Sequence, residues 1–519
     1  MNLLERCEKW AAEGAWDKII ERLRASPSVP KSPELTLALT KALLQKAPQD
    51  PQYYAEAQRL LYNGSCLPYW AKHYYRGLIS LRLGRPFGAL DALSAFWKPG
   101  SSEEAYRDWI DLWNEAVSII SLPKLELTFR ERVESVWATF LERESEFEAL
   151  VASAPHPNST KRIDQWLFKL FNSADIGVRV TFMQRSGKPT LLVWCEQLQC
   201  HGRNYDDMIY RQESRFASDL LCWQYVLDCA PQSVRDRWHL HAGHFPMPVA
   251  SVKWGFEGGV QSNEVEFRLL KDDNSGRLVI ELFSEMYDYD EEVLYGEGLE
   301  GAFKLLLTKV VGELAAYRYL TTVVIRTKPL RHGLLLTGLP RTMAAMGLDF
   351  KLEPIDVLPM CTRRYKGCPE KIIHTEKQSM TTRIPKLLEE YRKKKNDVYK
   401  YLLSAGIVAG FFVCHRTDNT PFVANEVNDL CQKLDAYLAE HAGARALRVI
   451  GYAHSETAFF LDFFAWDLPS VLKVAKAFFR EHTEWRGGFH AYTRAARVFR
   501  LSEAKQGAEA VTVPPLVAA

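Results

Sequence analysis

His239, His241 and His244 occur close together and are the first residues whose type suggests metal chemistry. A zinc site needs three or four ligands on converging elements, and the helical zinc motif has an acidic residue between two histidines. No acidic residue separates these histidines, and Gly243 and Pro246 predict a loop. We therefore interpret the histidines as structural residues and predict no metal site.

The glycines Gly296, Gly298 and Gly301 have the spacing of a dinucleotide-binding loop at the start of a predicted helix. Such a loop needs a strand directly before it and surroundings that attract a pyrophosphate. Residues 287–292 precede it instead, and four of these six residues are Asp or Glu, which would repel a phosphate. We predict a helix start here and no nucleotide cofactor.

The ten cysteines are dispersed, and their spacing fits neither a metal site nor a redox motif. Cys195 and Cys200 are separated by four residues and Cys361 and Cys368 by six, whereas zinc and thioredoxin-type motifs separate paired cysteines by two. The chain also lacks the nucleophile elbow, the phosphate-binding loop and the metalloprotease helix. The sequence therefore predicts ordinary, reduced cysteines.

Asp462 and Asp467 flank an apolar stretch near the end of the chain, and two carboxylates can act as general acid and base. Asp467 also directly precedes Leu468 and Pro469, which is the usual position of a helix N-cap. We favour the capping role for Asp467.

An enzyme with a site between two α/β domains is the first alternative function. Its candidate residues are His239, His241, Asp462 and His490. The alternative requires that they converge in a deep pocket with perturbed pKa values.

A basic run lies beside three tyrosines at 391, 399 and 401, a mixture typical of single-strand nucleic-acid binders. The run consists of Arg392, Lys393, Lys394 and Lys395. The spacing of apolar residues from 387 to 402 predicts an amphipathic helix here, with the basic residues on a solvated face. An RNA-associated regulator is the second alternative function.

The first 122 residues predict paired short helices. The predicted pairs are 3–13 with 16–24, 34–46 with 52–62, and 69–83 with 86–97, followed by a helix over 102–120. Gly14 and Gly84 interrupt two pairs and lie 70 residues apart, about twice the tetratricopeptide period. The spacing predicts a divergent array of about three helical repeats.

The third pair resembles the tetratricopeptide pattern best, through Gly77, Gly84, Ala89 and Leu93. In that family these positions hold the small residue of the first helix, the turn glycine, the small residue of the second helix and an apolar packing residue. The resemblance implies a non-enzymatic scaffold that presents a binding surface to a protein or peptide. Candidate partner-binding residues are Trp16, Tyr54, Tyr69, Trp70, Tyr74 and the basic run 392–395.

The rest of the chain predicts two α+β domains. Apolar positions spaced three or four residues apart predict one helix over 125–152, which we interpret as a cap on the repeats within a segment 123–152. A Pro- and Ser-rich linker then leads to a middle α+β domain over 161–350 and a basic linker with a helix over 351–402. Residues 403–501 have the order β-α-β-β-α-β of a ferredoxin-like domain, and 502–519 are predicted to be disordered.

The composition is that of a globular protein: 47% of the residues are hydrophobic and 25% are charged. The net charge of +2 favours neither nucleic acid nor an anionic membrane as a partner. No apolar run approaches the roughly 20 residues that span a bilayer, and the start lacks the apolar core of a signal peptide. We expect a cytoplasmic protein with no membrane association.

As a whole, the chain resembles bacterial tetratricopeptide-repeat proteins that carry two α/β domains after the repeats. The resemblance rests on WAAEGAWDKII near the start, FRERVESVWATFLERE in the predicted cap and residues 460–467. The C-terminal part resembles DUF695-like and ribonuclease-E-regulator-B-like domains. The resemblance implies an adaptor or regulatory role, in its sharper form a toxin-neutralising immunity protein, and it transfers no functional residues.

Overall fold

The computed structural model shows two compact units. The first comprises Met1–Lys124 and Arg494–Phe499, and the second comprises Leu125–Thr493 and Arg500–Ala519. Helices dominate the N-terminal part, whereas sheets are concentrated in the C-terminal part. The structure describes residues 2–63, 67–95, 103–153, 161–185, 188–195, 205–243, 245–254, 258–273, 275–285, 297–366, 371–372, 375–376, 379–418, 420, 424–455 and 458–502.

The helices of the first unit begin and end close to the predicted positions. They are α1 (Leu3–Ala12), α2 (Trp16–Arg24), α3 (Pro33–Lys46), α4 (Gln52–Asn63), α5 (Tyr69–Arg82), α6 (Pro86–Ser94) and α7 (Glu103–Ser121). Side chains at the starts explain some of these boundaries: Asn2 forms a capping box with Glu5, and Ser32 accepts from the Leu35 N–H. Gly84 has a φ of +69° between α5 and α6, a conformation that side chains with a Cβ disfavour.

Helices α5 and α6 approach each other closely at Gly77. A Cβ atom at this position would lie 2.8 Å from Leu93 Cγ and 3.5 Å from the Ala89 carbonyl oxygen. Leu93 and Ala89 are both fully buried. The absent side chain of Gly77 therefore lets the two helices pack together, as small residues at a helix crossing do.

The segment 494–499 packs on α7, although about 370 residues separate them in the sequence. The Arg497 N–H donates to Ser121 Oγ at 2.7 Å, and Arg497 Nη2 donates to Asn114 Oδ1 at 2.8 Å. Ser121 Oγ in turn donates to the Val117 carbonyl. The chain thus supplies the last helix of this unit with a partner from its C-terminal region.

The segment predicted as a cap for the repeats differs from the prediction. It forms two helices, α8 (Phe129–Glu142) and α9 (Glu144–Ala152), and both belong to the second unit. Their apolar face packs there: Trp137 Nε1 donates to the Val226 carbonyl, and the Phe129 N–H donates to the Gly406 carbonyl. The periodicity identified the buried face correctly, but it does not specify what that face packs against.

The remaining helices belong to the second unit. They are α10 (Lys161–Ser173), α11 (Tyr205–Cys229), α12 (Gln232–Arg237), α13 (Glu297–Val311), α14 (Glu313–Tyr319), α15 (Leu339–Ala345), α16 (Pro354–Val357), α17 (Pro385–Arg392), α18 (Asp397–Ser404), α19 (Ala424–His441) and α20 (Leu468–Glu481).

Three sheets carry most of the strands. The first has the order β1-β2-β3, and the second β8-β7-β6-β9. The third includes the order β10-β13-β15-β16-β14-β17. The strands are β1 (Val178–Arg185), β2 (Lys188–Cys195), β3 (His239–Ala242), β4 (Ser251–Trp254), β5 (Gly258–Gln261), β6 (Glu266–Lys271), β7 (Leu278–Phe283), β8 (Leu320–Ile325), β9 (Leu334–Leu335), β10 (Arg363–Lys366), β11 (Lys371–Ile372), β12 (Thr375–Glu376), β13 (Ser379–Thr382), β14 (Val408–Arg416), β15 (Leu447–His454), β16 (Ala458–Ala465), β17 (Trp485–Ala491) and β18 (Phe499–Arg500).

The middle region contains two antiparallel hairpins, β1–β2 and β6–β7. The loop prediction around the histidines is wrong, because residues 239–242 form β3, which pairs in parallel with β2. The single helix predicted over the basic linker is also wrong. The structure has α17 and α18, and Lys394 between them has a φ of +57°.

The C-terminal elements follow the predicted order β14-α19-β15-β16-α20-β17. The four strands are neighbours in the order β15-β16-β14-β17, and each neighbouring pair is antiparallel. All eight residues of β16 are buried, which makes this strand the centre of the local core. Two further strands, β13 and β10, extend the sheet beyond β15.

Candidate functional site

A partly open groove of about 490 Å³ lies on the helical unit between α4, α5 and α6. Residues of α5 three or four positions apart contribute one wall, and residues of α6 with the same spacing contribute the other. This volume is within the roughly 300–1,000 Å³ typical of binding pockets. The groove is lined by Gln58, His73, Arg76, Ile79, Ser80, Arg85, Gly88, Asp91, Ala92 and Ala95.

Aromatic side chains contact two of the lining residues. The Arg76 guanidinium lies 5.1 Å from the centroid of the Tyr62 ring, and its Nη2 donates to Tyr62 Oη at 3.5 Å. The ring centroids of Tyr69 and His73 are 4.3 Å apart. Tyr62 is 63% exposed and Tyr69 is 60% exposed. Two exposed aromatic rings therefore lie next to the lining of the groove.

His73 is held in place by the helix opposite. Its Nδ1 lies 3.1 Å from the Ala92 carbonyl oxygen, so this nitrogen carries the proton in that hydrogen bond. Burial lowers the pKa of His73, and the positive charges of Arg76 and Lys72 lower it further, while the bond to Ala92 opposes the shift. The imidazole is therefore neutral near pH 7, and the positive charge of the groove comes from arginine.

The five aromatic residues predicted to bind a partner divide into two groups. Tyr69 is exposed and contacts the groove residue His73, and Trp70 beside it is 37% exposed. Tyr54 is buried in the helical core, and Trp16 and Tyr74 are half-buried and pack against that core. Tyr69 and Trp70 are thus exposed to solvent, whereas the other three pack in or against the helical core.

None of the residues predicted to bind a partner lines the groove. The polar residues His73, Arg76 and Ser80 share one face of α5, and Gly88 lies opposite Ser80, with 3.6 Å between a built Cβ and Ser80 Oγ. The sequence shows that His73, Arg76 and Ser80 recur every three or four positions and so share one face of α5. It does not show that α6 leaves space beside that face.

The basic run 392–395 lies at the end of α17 and in the turn that follows. Arg392 is half-buried with its guanidinium 5.2 Å from the Tyr365 ring centroid, whereas Lys393, Lys394 and Lys395 are exposed. The Lys395 N–H donates to the Glu390 carbonyl, which closes the turn. The run therefore combines one packed arginine with three solvated lysines, and it does not form a continuous helix face.

The four candidate enzyme residues lie on two different sheets. His239 and His241 are on β3, where the His241 ring stacks on Phe245 at 4.0 Å. Asp462 and His490 pair across the C-terminal sheet with the same residue of β14, Phe411.

The pair on the C-terminal sheet is buried. Asp462 has no exposed surface and accepts from Tyr492 Oη at 3.5 Å, and His490 Nδ1 lies 2.6 Å from the Ala491 carbonyl oxygen. Burial raises the pKa of Tyr492, and the charge of Asp462 raises it further. The geometry is that of a packed core in which polar groups bond to one another.

Other sequence features have plain structural roles or fall outside the described residues. Asp467 caps α20, since its Oδ1 accepts from the Ser470 N–H at 3.2 Å, which confirms the capping prediction. His244, Gly296, Cys200 and Cys368 lie outside the described residues. Over the described ranges, no three His, Cys, Asp or Glu side chains form a group that could hold a metal ion.

Across that same part of the chain, no helix has the length and apolar character needed to cross a bilayer. Comparison of the chain with protein-family models, with curated proteins and with solved structures finds no match.

Proposed function

We propose that this protein is a non-enzymatic binding protein whose helical unit holds a segment of a protein partner in the groove between α4, α5 and α6. The observation that carries the proposal is the groove itself, with its two arginines and the exposed rings of Tyr62 and Tyr69 beside it. Arginine and tyrosine are enriched among residues that dominate binding energy at interfaces. The volume of about 490 Å³ suits a few side chains of a partner.

The folds of both regions support an adaptor role. The approach of Gly77 to Leu93 and the left-handed Gly84 are what a tetratricopeptide-like helix pair requires, so they support that finer description of the repeats. The strand order β15-β16-β14-β17, with antiparallel neighbours and two intervening helices, matches the order expected of a ferredoxin-like domain and supports that finer description. Both architectures are common scaffolds for binding surfaces, and function must still be argued from the site.

A bacterial, cytoplasmic setting is part of the proposal. Six cysteines of the described residues are free thiols, and five of these are buried, as in reduced intracellular proteins. A regulatory or toxin-neutralising partner fits the resemblance described above. The enzyme alternative has less support, because its four candidate residues are divided between two sheets.

The test compares the full-length protein with a Gly88→Leu variant. A Cβ at position 88 makes only ordinary contacts of 3.6–3.8 Å, so the leucine side chain can extend into the groove without a clash at its base. Leucine also has a higher helix propensity than glycine by about 0.8 kcal/mol. The variant should therefore stay folded and lose the partner.

The matched control is Ala55→Leu, which adds the same type of side chain at an exposed position of α4 outside the groove. Both variants and the wild type are tagged and purified from the native host, and co-eluting proteins are quantified. A stoichiometric partner retained by wild type and Ala55→Leu but lost from Gly88→Leu would support the proposal. Equal recovery of every protein from all three would contradict it.

A further inference from the structure

The lining of the groove carries more positive than negative charge. Arg76 and Arg85 contribute two cationic guanidinium groups to the lining. Asp91 is the only acidic residue among the described residues that line the groove. A ligand with carboxylates would therefore bind with favourable electrostatics, whereas a basic ligand would be repelled.

Arg76 is positioned before any ligand binds. Its guanidinium lies over the Tyr62 ring and donates to the Tyr62 hydroxyl, and these contacts restrict a long side chain. In the described part of the chain, Arg76 has no ion pair with a carboxylate. One Nη2 hydrogen bond goes to Tyr62, and the remaining N–H donors of the planar guanidinium can match a carboxylate.

Arg85 offers a second cationic group from the other wall. It is the exposed residue that precedes α6, and it likewise forms no ion pair with a carboxylate of the described residues. By contrast, Arg82, on α5 but outside the groove lining, pairs with Glu115 at 2.6 Å. Arg76 and Arg85 thus differ from Arg82, whose positive charge is paired with the carboxylate of Glu115.

The surface next to the arginines is aromatic. Tyr62 and Tyr69 expose more than half of their surface and contact Arg76 and His73 respectively. Such rings favour contact with an apolar or aromatic side chain of a partner. The groove therefore matches an acidic residue and an apolar residue close together in a partner sequence.

We infer that the ligand of the groove is an extended acidic segment of a protein, whose carboxylates pair with Arg76 and Arg85 and whose adjacent apolar side chain packs on Tyr62 and Tyr69. This inference rests on the proposed binding function and names the chemistry of its ligand. A nucleic acid fits less well, because a phosphate backbone needs a row of unpaired cations. This groove has two arginines and an aspartate.

The experiment selects binders from a library of random peptides displayed on phage, using the full-length protein. Bound phage are counter-selected on Gly88→Leu, so that only groove-dependent peptides remain. The selected peptides are then measured by fluorescence anisotropy against wild type, Arg85→Glu and Arg76→Gln. Arg59→Glu is the control, since Arg59 is exposed on α4 and does not line the groove.

We expect groove-dependent peptides rich in Asp and Glu, with affinity reduced at least about tenfold by Arg85→Glu and unchanged by Arg59→Glu. Groove-dependent peptides that are neutral or basic would overturn the inference but leave the binding function intact. Acidic peptides whose affinity is the same for Arg85→Glu, Arg76→Gln and wild type would also overturn it. Failure to obtain any peptide that distinguishes wild type from Gly88→Leu would contradict both the inference and the proposed function.

Discussion

Gly77 and Gly88 lie on α5 and α6, two of the three helices that form the groove, and the structure predicts opposite effects when each is replaced by alanine. At position 77 a Cβ would lie 2.8 Å from Leu93 Cγ and 3.0 Å from Leu93 Cδ2. Leu93 is fully buried, so it has little room to move away. At position 88 the nearest atoms are 3.6 Å away, an ordinary contact distance.

The magnitudes follow from two opposing terms. Overpacking in a core costs about 1–3 kcal/mol, whereas alanine is favoured over glycine in a helix by about 1 kcal/mol. Gly77→Ala should therefore destabilise the helix pair by about 1 kcal/mol, the difference between these terms. Gly88→Ala has only the favourable term and should stabilise the pair by about 1 kcal/mol.

Hydrogen exchange of the amides in α5 and α6, followed by mass spectrometry, measures the local opening free energy. The two variants should differ by about 2 kcal/mol, which corresponds to about a 30-fold difference in exchange rate. Peptides from the second unit provide the internal control and should exchange equally in both variants. Similar protection of α5 and α6 in the two variants would refute the close crossing at Gly77.

Three further predictions concern stability. Ser121→Ala removes the acceptor of the Arg497 N–H. It should lower the hydrogen-exchange protection of α7 and of residues 494–499 by about 1–2 kcal/mol. Unchanged protection would show that residues 494–499 do not stabilise α7. Asp467→Ala should cost about 1 kcal/mol in denaturant unfolding and Asp467→Asn much less, since asparagine also caps helices; equal losses would contradict the capping role. Burial raises the pKa of Glu390 above the ordinary carboxyl value. Glu390 therefore contributes its full stabilisation at low pH, and this contribution is lost as the pH rises from the ordinary carboxyl pKa through the raised pKa. Glu390→Gln keeps an acceptor for the Val398 N–H and does not titrate, so its melting temperature relative to wild type should increase over that pH range; a constant or decreasing difference would refute this sign.

The sequence predicted the helices of the first unit well for a physical reason. Their apolar residues recur every three or four positions, and glycines such as Gly14 and Gly84 end them in conformations that other residues disfavour. The central strands of the C-terminal sheet were equally clear, since β16 is a continuous apolar run around Asp462. Elements with a strong local signal were therefore predictable.

The errors occurred where structure depends on distant partners. β3 has four residues, too few for a periodic pattern, and it exists because it pairs with β2. The sequence of α8 shows which face is buried, but it does not show that this helix contacts Val226 and Gly406. The same holds for residues 494–499, whose contact with α7 links distant parts of the chain.

The candidate site was only partly predictable. Tyr69 was selected because it is aromatic, and the structure places it beside the groove residue His73. Arg76 and Arg85 were missed because an arginine on a helix surface is usually a solvated residue. Their significance arises from the space beside Gly88, which depends on how α5 and α6 pack.

The most direct test of the binding function is isothermal titration calorimetry with the purified full-length protein and the partner recovered from the native host. Wild type and Ala55→Leu should bind with equal affinity, and Gly88→Leu should bind at least about tenfold more weakly, which is about 1.4 kcal/mol of binding free energy. Circular dichroism should show that all three proteins are equally folded. Unchanged affinity of a folded Gly88→Leu variant would contradict the assignment of the groove as the binding site.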